Sequence, residues 1–135
     1  MWKGRFQQAS SDLLTTYSES VSFDWRLFRH DIQGSIAHAG ALKKAGILTA
    51  GELAKITSGL RRIGREIAAG KFAFDPSLED VHMNIEAELT RRIGAAGAKL
   101  HTARSRNDQI ALDLRLYLRD EVTVLVALVR DLQKA

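Results

Sequence analysis

The sequence contains no cysteine among its 135 residues, so disulfide bonds and metal sites built on thiolates are excluded. Proline occurs once, as Pro76, and long helices therefore meet few built-in breaks. No apolar run approaches the roughly 20 residues that span a bilayer. The opening stretch MWKGRFQQASSDLL also lacks the apolar core of a secretory signal. We therefore expect a cytoplasmic protein with no membrane partner.

Blocks of like charge are absent as well. The formal net charge is +4, and 27% of the residues are charged, but the basic side chains are spread along the chain. A nucleic-acid groove favours a broad basic track with interleaved aromatic residues. We therefore expect no nucleic-acid partner.

Helical periodicity is what the sequence does contain. Apolar residues recur at spacings of three and four in four segments, and no segment alternates strictly, which predicts an all-α protein. The first helix is predicted to start from Asp24 as its N-cap and to stop at Gly46. The second begins at Thr49, whose T-x-x-E spacing to Glu52 is a capping box, and ends at Gly70.

The remaining segments comprise one more short helix and two irregular stretches. Ser77 and Asp80 are predicted to cap a third helix. Residues 1–23 are interpreted as a mostly irregular arm, and GAAGAKLHTARSRN, residues 94–107, as a glycine-rich loop.

The fourth helical segment is apolar on several faces and reaches Ala135 without a stop signal. A helix of this kind needs neighbours on several sides. The pattern indicates the front of a longer helical bundle or a module that assembles through this helix, although a small bundle covering it remains open. We accordingly divide the chain into an amino-terminal helical domain, residues 1–106, and the beginning of a bundle domain, residues 107–135.

The stretch KLHTARSRNDQIALDL gathers hydrogen-bond donors just before the fourth helix. Unpaired backbone N–H groups at a helix start favour an anion, and the guanidinium groups of Arg104 and Arg106 suit carboxylates. Neutral donors complete the set: Thr102, Ser105 and Asn107. The pattern predicts a small-anion site.

A structural interpretation of the same stretch stays open. Asn107 could simply cap a helix that begins at Asn107 or Asp108, while the arginines pair with acids such as Asp108 and Asp113.

A second cluster, LEDVHMNIE, places His82 beside Glu79 and Asp80. Nearby carboxylates can hold an imidazole in one tautomer and tune it as a proton carrier. Without another convergent histidine or cysteine pattern we expect no metal site, and the acids could equally be favourable charges in a helix's first turn.

These motifs carry a family resemblance. KLHTARSRNDQ resembles the H-T-G-R-S-R-N-D-Q signature of argininosuccinate lyases, and LEDVHMNIE resembles that family's E-D-[IV]-H segment. WKGRF is similar to the family's W-G-G-R-F opening, and SESVSFDWRL to its serine-bearing segment. Within the fumarase and aspartase superfamily, this form of the signature points to argininosuccinate lyase.

The resemblance implies a cofactor-free lyase that reversibly cleaves argininosuccinate to arginine and fumarate in arginine biosynthesis or the urea cycle. It also implies a homotetramer in which three subunits build each active site. By the family's pattern Ser20 and Asn107 contact substrate, Thr102, Arg104 and Arg106 belong to the same substrate-binding loop, and His82 has a supporting role.

Three departures from the family pattern stand out. Ala103 replaces the glycine of H-T-G-R, and Lys3 replaces the first glycine of W-G-G-R-F. The segments that supply the family's catalytic histidine and serine do not occur in this sequence. We therefore expect this part alone to be inactive, and a non-catalytic helical module for oligomerisation or interaction remains the alternative.

Overall fold

The computed structural model describes residues 12–135. Over that range the predicted all-α class is confirmed, because all regular structure is helical. Three single 3₁₀ turns connect the α-helices, at Trp25–Leu27, Pro76–Leu78 and Lys99–His101. The α-helices are α1 (Asp12–Ser18), α2 (Val21–Asp24), α3 (Phe28–Lys44), α4 (Ala50–Ala68), α5 (Val81–Ile93), α6 (Ala95–Ala98) and α7 (Arg106–Lys134).

Two helix starts follow from local sequence as predicted. At α4 the Thr49 side chain accepts from the Glu52 amide at 3.1 Å, and the Glu52 carboxylate accepts from the Thr49 amide at 2.9 Å. At α5 the Asp80 side chain accepts from the amide of Met83 at 2.6 Å. Both caps pair backbone N–H groups that would otherwise lack partners.

The prediction for the beginning of the chain is wrong over the described part of the arm. Residues 12–18 and 21–24 form α1 and α2, and α3 begins at Phe28 rather than at Asp24. The Asp24 side chain makes no cap bond to the turn that follows it, because its carboxylate instead accepts from the amide of Val81, the first residue of α5, at 3.1 Å. A contact between distant parts of the chain thus replaces a local cap.

The predicted role of Ser77 and the predicted glycine-rich loop also need correction. Ser77 donates its amide to Asp75 within a 3₁₀ turn and leaves the capping of α5 to Asp80. Residues 94–107 contain α6 and the turn Lys99–His101. Gly97 allows α6 to lie against α5, since a Cβ there would come within 2.8 Å of the Thr90 Cα.

The core lies between α3, α4 and α5, with the start of α7 packed on α3. Gly59 on α4 permits close approach of α5, because a Cβ there would lie 2.6 Å from the Leu89 side chain. Burial of these aliphatic side chains supplies the main driving force for folding. The most buried apolar members are Ala39, Ile56, Leu60, Ile63, Val81 and Leu89.

Helix α7 packs through its first turns only. Every residue from Leu118 to the end is exposed in the single chain. None of the helices in the described range is both long enough and apolar enough to cross a membrane. The domain division at residues 106 and 107 coincides with the start of α7 and stays a prediction.

The resemblance drawn from WKGRF, including the replacement at Lys3, lies outside the described residues.

Candidate functional site

The donor-rich loop leads from the 3₁₀ turn Lys99–His101 into α7. His38 on α3 holds it in place, with Nε2 2.9 Å from the carbonyl oxygen of Thr102. Ala103 follows with a φ of 56°, in the left-handed region that favours glycine. The replacement of the family's glycine therefore falls at a backbone position where a side chain is strained.

Helix α7 begins one residue earlier than predicted. Its N-cap is Ser105, whose side chain accepts from the amide of Asn107 at 3.2 Å. The interpretation of Asn107 as the cap is therefore wrong. Its side chain, like that of Thr102, is exposed and makes no hydrogen bond within residues 12–135, so both are available to a ligand.

Arg106 is held by a set of polar groups at the start of α5 and α7. Its Nη1 donates to Oε1 of Gln109 at 2.6 Å, whereas Nε lies 3.4 Å from Asp80 and Nη2 lies 3.6 Å from Glu86. Glu86 also lies 3.0 Å from Nδ1 of His101. The Arg106 side chain is 22% exposed, so part of it can meet solvent or a ligand.

Arg104 turns inward instead. Its Nη1 donates to Oγ of the buried Ser35 at 2.9 Å. Burial lowers the pKa of Arg104, although the charges of Asp31 and Glu86 oppose that shift. Neither arginine pairs directly with Asp108 or Asp113 in the described range. Arg106 does contact other acids, Asp80 and Glu86, as the structural interpretation allowed, whereas Arg104 bonds to the neutral Ser35.

Ser20 lies at the amino end of α5. The amides of Ser20 and Val21 both donate to the carbonyl oxygen of Glu79, at 2.8 and 3.0 Å. Glu79 has a φ of 64°, which is a strained backbone conformation, and it lies between the turn Pro76–Leu78 and the start of α5. The Ser20 hydroxyl donates to Asp24 at 2.7 Å, and burial raises the pKa of Asp24.

The start of α5 therefore connects two of the predicted site residues. Ser20 bonds to Glu79, and Arg106 contacts the next residue, Asp80. Both contacts require α5 to begin at this point, which the Asp80 cap ensures. The sequence placed these residues more than 80 positions apart, and the fold brings them to one end of one helix.

A buried ionisable cluster lies beneath the loop. Nδ1 of His82 is 3.1 Å from Oδ1 of Asp31 and 3.4 Å from Oδ2 of Asp113. Nε2 of Gln109 donates to the same Asp31 oxygen. These residues come from α3, α5 and α7, so the cluster joins the three helices.

The cluster has unusual proton affinities. Burial raises the pKa of Asp113 to about 7, and the negative charge of Asp31 adds to that rise. Burial works to lower the pKa of His82, but the hydrogen bond to Asp31 and the charges of Asp31, Asp80 and Asp113 together raise it above 6.5. A proton is thus stabilised within the cluster near neutral pH.

Asp31, His82 and Asp113 are also the one set in the described range whose spacing suits a metal ion, with ligand atoms within 4.8 Å of one another. The two carboxylates already lie near the positive charge of Arg104, and Asp31 also accepts a hydrogen bond from the Gln109 amide. The prediction of no metal site stays a prediction.

Two members of this arrangement, Asp31 and Gln109, were not singled out from the sequence, and Asp113 was named only as a possible partner of the arginines. A signal was present, because Asp31 falls between Phe28 and Ile32 on the buried stripe of α3. Its exposed fraction is 1%. A charged residue on an apolar stripe is rarely buried without a partner, and this pattern could have identified it.

Comparison with known proteins places the chain among lyases. The family described as Lyase matches residues 4–135. The argininosuccinate lyase of Methylococcus capsulatus is 56% identical over 135 residues, which is 100% of this chain and 29% of the relative. That of Desulforamulus reducens is 53% identical over 132 residues, which is 98% of this chain and 29% of the relative.

A third relative agrees with these two. The argininosuccinate lyase of Hahella chejuensis is 57% identical over 127 residues, which is 94% of this chain and 27% of the relative. The chain thus spans less than a third of the length of the curated relatives it matches.

Proposed function

Because the chain belongs to the lyase family and resembles argininosuccinate lyases along its whole length, we propose that it is the amino-terminal part of such an enzyme. Its part in the reaction is to hold substrate for the reversible β-elimination that gives arginine and fumarate. No cofactor takes part in this proposal. The observation that carries it is the convergence of Ser20 and Arg106 at the start of α5.

The loop supplies the chemistry that a dicarboxylic substrate needs. Removal of a proton from the succinyl Cβ leaves a carbanion that is stabilised as an enediolate-like carboxylate, and fixed donors lower the energy of that charge. Arg106 offers a guanidinium, and Thr102 and Asn107 offer uncommitted side chains. We assign these three, together with Ser20, to substrate contact.

Arg104 has a different part in this proposal from the one expected. Because its Nη1 is bonded to Ser35 and its side chain turns inward, it acts on substrate through the position of the loop and through its positive charge. Ser35 is 1% exposed, and its buried position on α3 fixes the contact with Arg104.

His82 supports the site rather than touching the reacting atoms. It is 2% exposed and bonded to Asp31, so it has no open path to a substrate in this chain. Its role in the proposal is to fix α3, α5 and α7 relative to one another and thereby to hold Asp80 and Arg106.

The site is incomplete without further segments. The family's catalytic histidine and serine lie in segments that this sequence does not contain, and three subunits contribute to each of the family's active sites. The exposed apolar side chains of α7 are consistent with a tetrameric bundle. We propose that residues 107–135 enter such a bundle and that the chain alone does not turn over substrate.

Fumarate release from argininosuccinate tests the proposal, measured with this chain alone and with a complete lyase subunit that carries it. Release by the complete subunit only, at a rate reduced by Arg106→Met, is the expected result. Arg65→Met is the matched control, because Arg65 is exposed in the last turn of α4 and lies outside the proposed bundle segment.

Two outcomes would contradict the proposal. Release by neither protein would favour a non-catalytic helical module that assembles through α7, an alternative that rests on the exposed apolar residues there. Release by the short chain alone would show that the missing segments are not needed.

A further inference from the structure

Gln109 connects the buried cluster to the substrate-binding loop. Building on the role proposed above for Arg106, we infer that Gln109 is a positioning residue whose side-chain amide, oriented by Asp31, sets the direction of the Arg106 guanidinium. Gln109 does not touch the substrate in this inference. It acts through Arg106.

The contacts form a continuous chain that is buried at Asp31 and Gln109 and ends at the partly exposed Arg106. Asp31 is 1% exposed and Gln109 is 4% exposed. The Asp31 carboxylate accepts from Nε2 of Gln109, and Oε1 of Gln109 accepts from Nη1 of Arg106 at 2.6 Å. His82, with Nδ1 3.1 Å from the same Asp31 oxygen, fixes the other side of the carboxylate.

Elementary hydrogen-bond chemistry determines which way the amide points. An ionised carboxylate accepts hydrogen bonds and donates none, whereas a guanidinium donates and accepts none. A residue between Asp31 and Arg106 must therefore donate on one side and accept on the other. Glutamine does both with one planar group, and reversing its amide would break both contacts at once.

The other partners of Arg106 do not fix the orientation of its guanidinium in the same way. Asp80 and Glu86 lie at 3.4 and 3.6 Å, beyond ordinary hydrogen-bond length, and they compensate the charge with little angular constraint. The contact with Gln109 is the short and directional one. Its loss leaves Arg106 near the site but free to turn.

A double-mutant cycle in a complete lyase subunit that carries this segment tests the inference. Gln109→Met is expected to raise KM for argininosuccinate about tenfold, which corresponds to the loss of one hydrogen bond to a charged group. In an Arg106→Met background the same change is expected to have no further effect, because the group it positions is gone. Gln33→Met is the matched control, since Gln33 is exposed on α3.

Different results would contradict the positioning role of Gln109 and the proposed function of Arg106. An equal rise in KM in both backgrounds, or no rise with Arg106 present, would overturn the positioning role. If Arg106→Met itself leaves KM unchanged, the proposed function of Arg106 fails, and the orientation of its side chain must be measured directly.

NMR of the Arg106 side chain in the native chain provides that measurement and needs no variant. Separate, slowly exchanging signals from its two Nη groups are expected, because one is bonded to Gln109. A single averaged signal would show free rotation of the guanidinium and would overturn the inference even if Gln109→Met fails to fold.

Discussion

Nδ1 of His82 lies 3.4 Å from Oδ2 of Asp113, and both side chains are buried. Hydrogen bonds to either oxygen of Asp113 are absent within the described residues. Burial of the Asp113 carboxyl is therefore tolerated only with a neighbouring positive charge or with a proton on the group itself. The Asp113 and His82 pair accordingly makes the free energy of unfolding sensitive to pH.

The free energy of unfolding is expected to fall as pH rises from about 5 to 8. The folded pKa of Asp113, about 7 against an ordinary 3.8, means that the folded state binds more protons in this interval. The raised pKa of His82 acts with the same sign: its contribution is complete below 6.5 and is lost as pH rises through the folded value. The pKa values of Glu52 and Glu88 are lowered to about 2, so these groups change the free energy of unfolding below pH 4.5 and not between pH 5 and 8.

Urea unfolding at several pH values, with and without Asp113→Asn, measures this dependence. The substitution removes one titrating group and should flatten the decline by at least about 1 kcal/mol. Asp131→Asn, at an exposed position on α7, should leave the slope unchanged. An identical slope in the Asp113 variant would show that this group does not titrate as described.

Asn107→Ala should separate ligand binding from helix capping. The side chain is exposed and Ser105 is the cap of α7, so the substitution should weaken binding of argininosuccinate to a complete lyase subunit while thermal unfolding stays within about 0.5 kcal/mol. Ser105→Ala is the comparison and should cost about 1 kcal/mol of stability. If Asn107→Ala costs as much stability as Ser105→Ala, a structural role is the better account.

Helix starts that depend on contacts within one turn of the chain could be predicted from the sequence. The capping box at Thr49 and the cap at Asp80 depend on residues three positions apart, and both are present. Asp24 has the same chemistry, but a long-range contact with the Val81 amide takes its carboxylate. The sequence alone does not show that Val81 becomes a neighbour of Asp24, so the two cases look alike before folding.

The candidate site shows the same division. The signature loop identified Arg104 and Arg106 as one group, but folding turns Arg104 toward Ser35 and leaves Arg106 beside Gln109. Which arginine faces inward depends on how α3 and α7 pack. Residue types and spacing therefore predicted which loop carries the candidate residues, and tertiary packing determines what each of their side chains contacts.

Ala103→Gly should stabilise the protein by about 1 kcal/mol. At a φ of 56° the methyl group of Ala103 is crowded by its own backbone, and glycine removes that strain at some cost in unfolded-state entropy. Ala111→Gly, at an exposed position inside α7, is the opposite case and should destabilise by a similar amount. Thermal unfolding of both variants measures the difference, and a loss of stability in both would mean that the loop carries no strain at Ala103.

The exposed part of α7 carries a regular apolar stripe that predicts self-association. Its five residues are separated by alternating steps of four and three, the spacing of a coiled-coil seam, and each is more than half exposed. They are Leu118, Val122, Leu125, Val129 and Leu132.

Removal of this stripe should convert the chain to a monomer. Most of the stability of a helix in a protein comes from packing of its apolar face, and burial of each stripe residue against another copy contributes about 1–2 kcal/mol. The double substitution Val122→Glu and Leu125→Glu places two charges in the seam and should abolish assembly in sedimentation velocity, together with part of the helical circular dichroism. Thr123→Glu combined with Ala127→Glu adds the same two charges outside the stripe and should leave the oligomer intact. Equal dissociation of both variants would show that added charge, and not the loss of the apolar stripe, causes dissociation. A monomeric unsubstituted chain would show that α7 does not self-associate without the other segments of a lyase subunit.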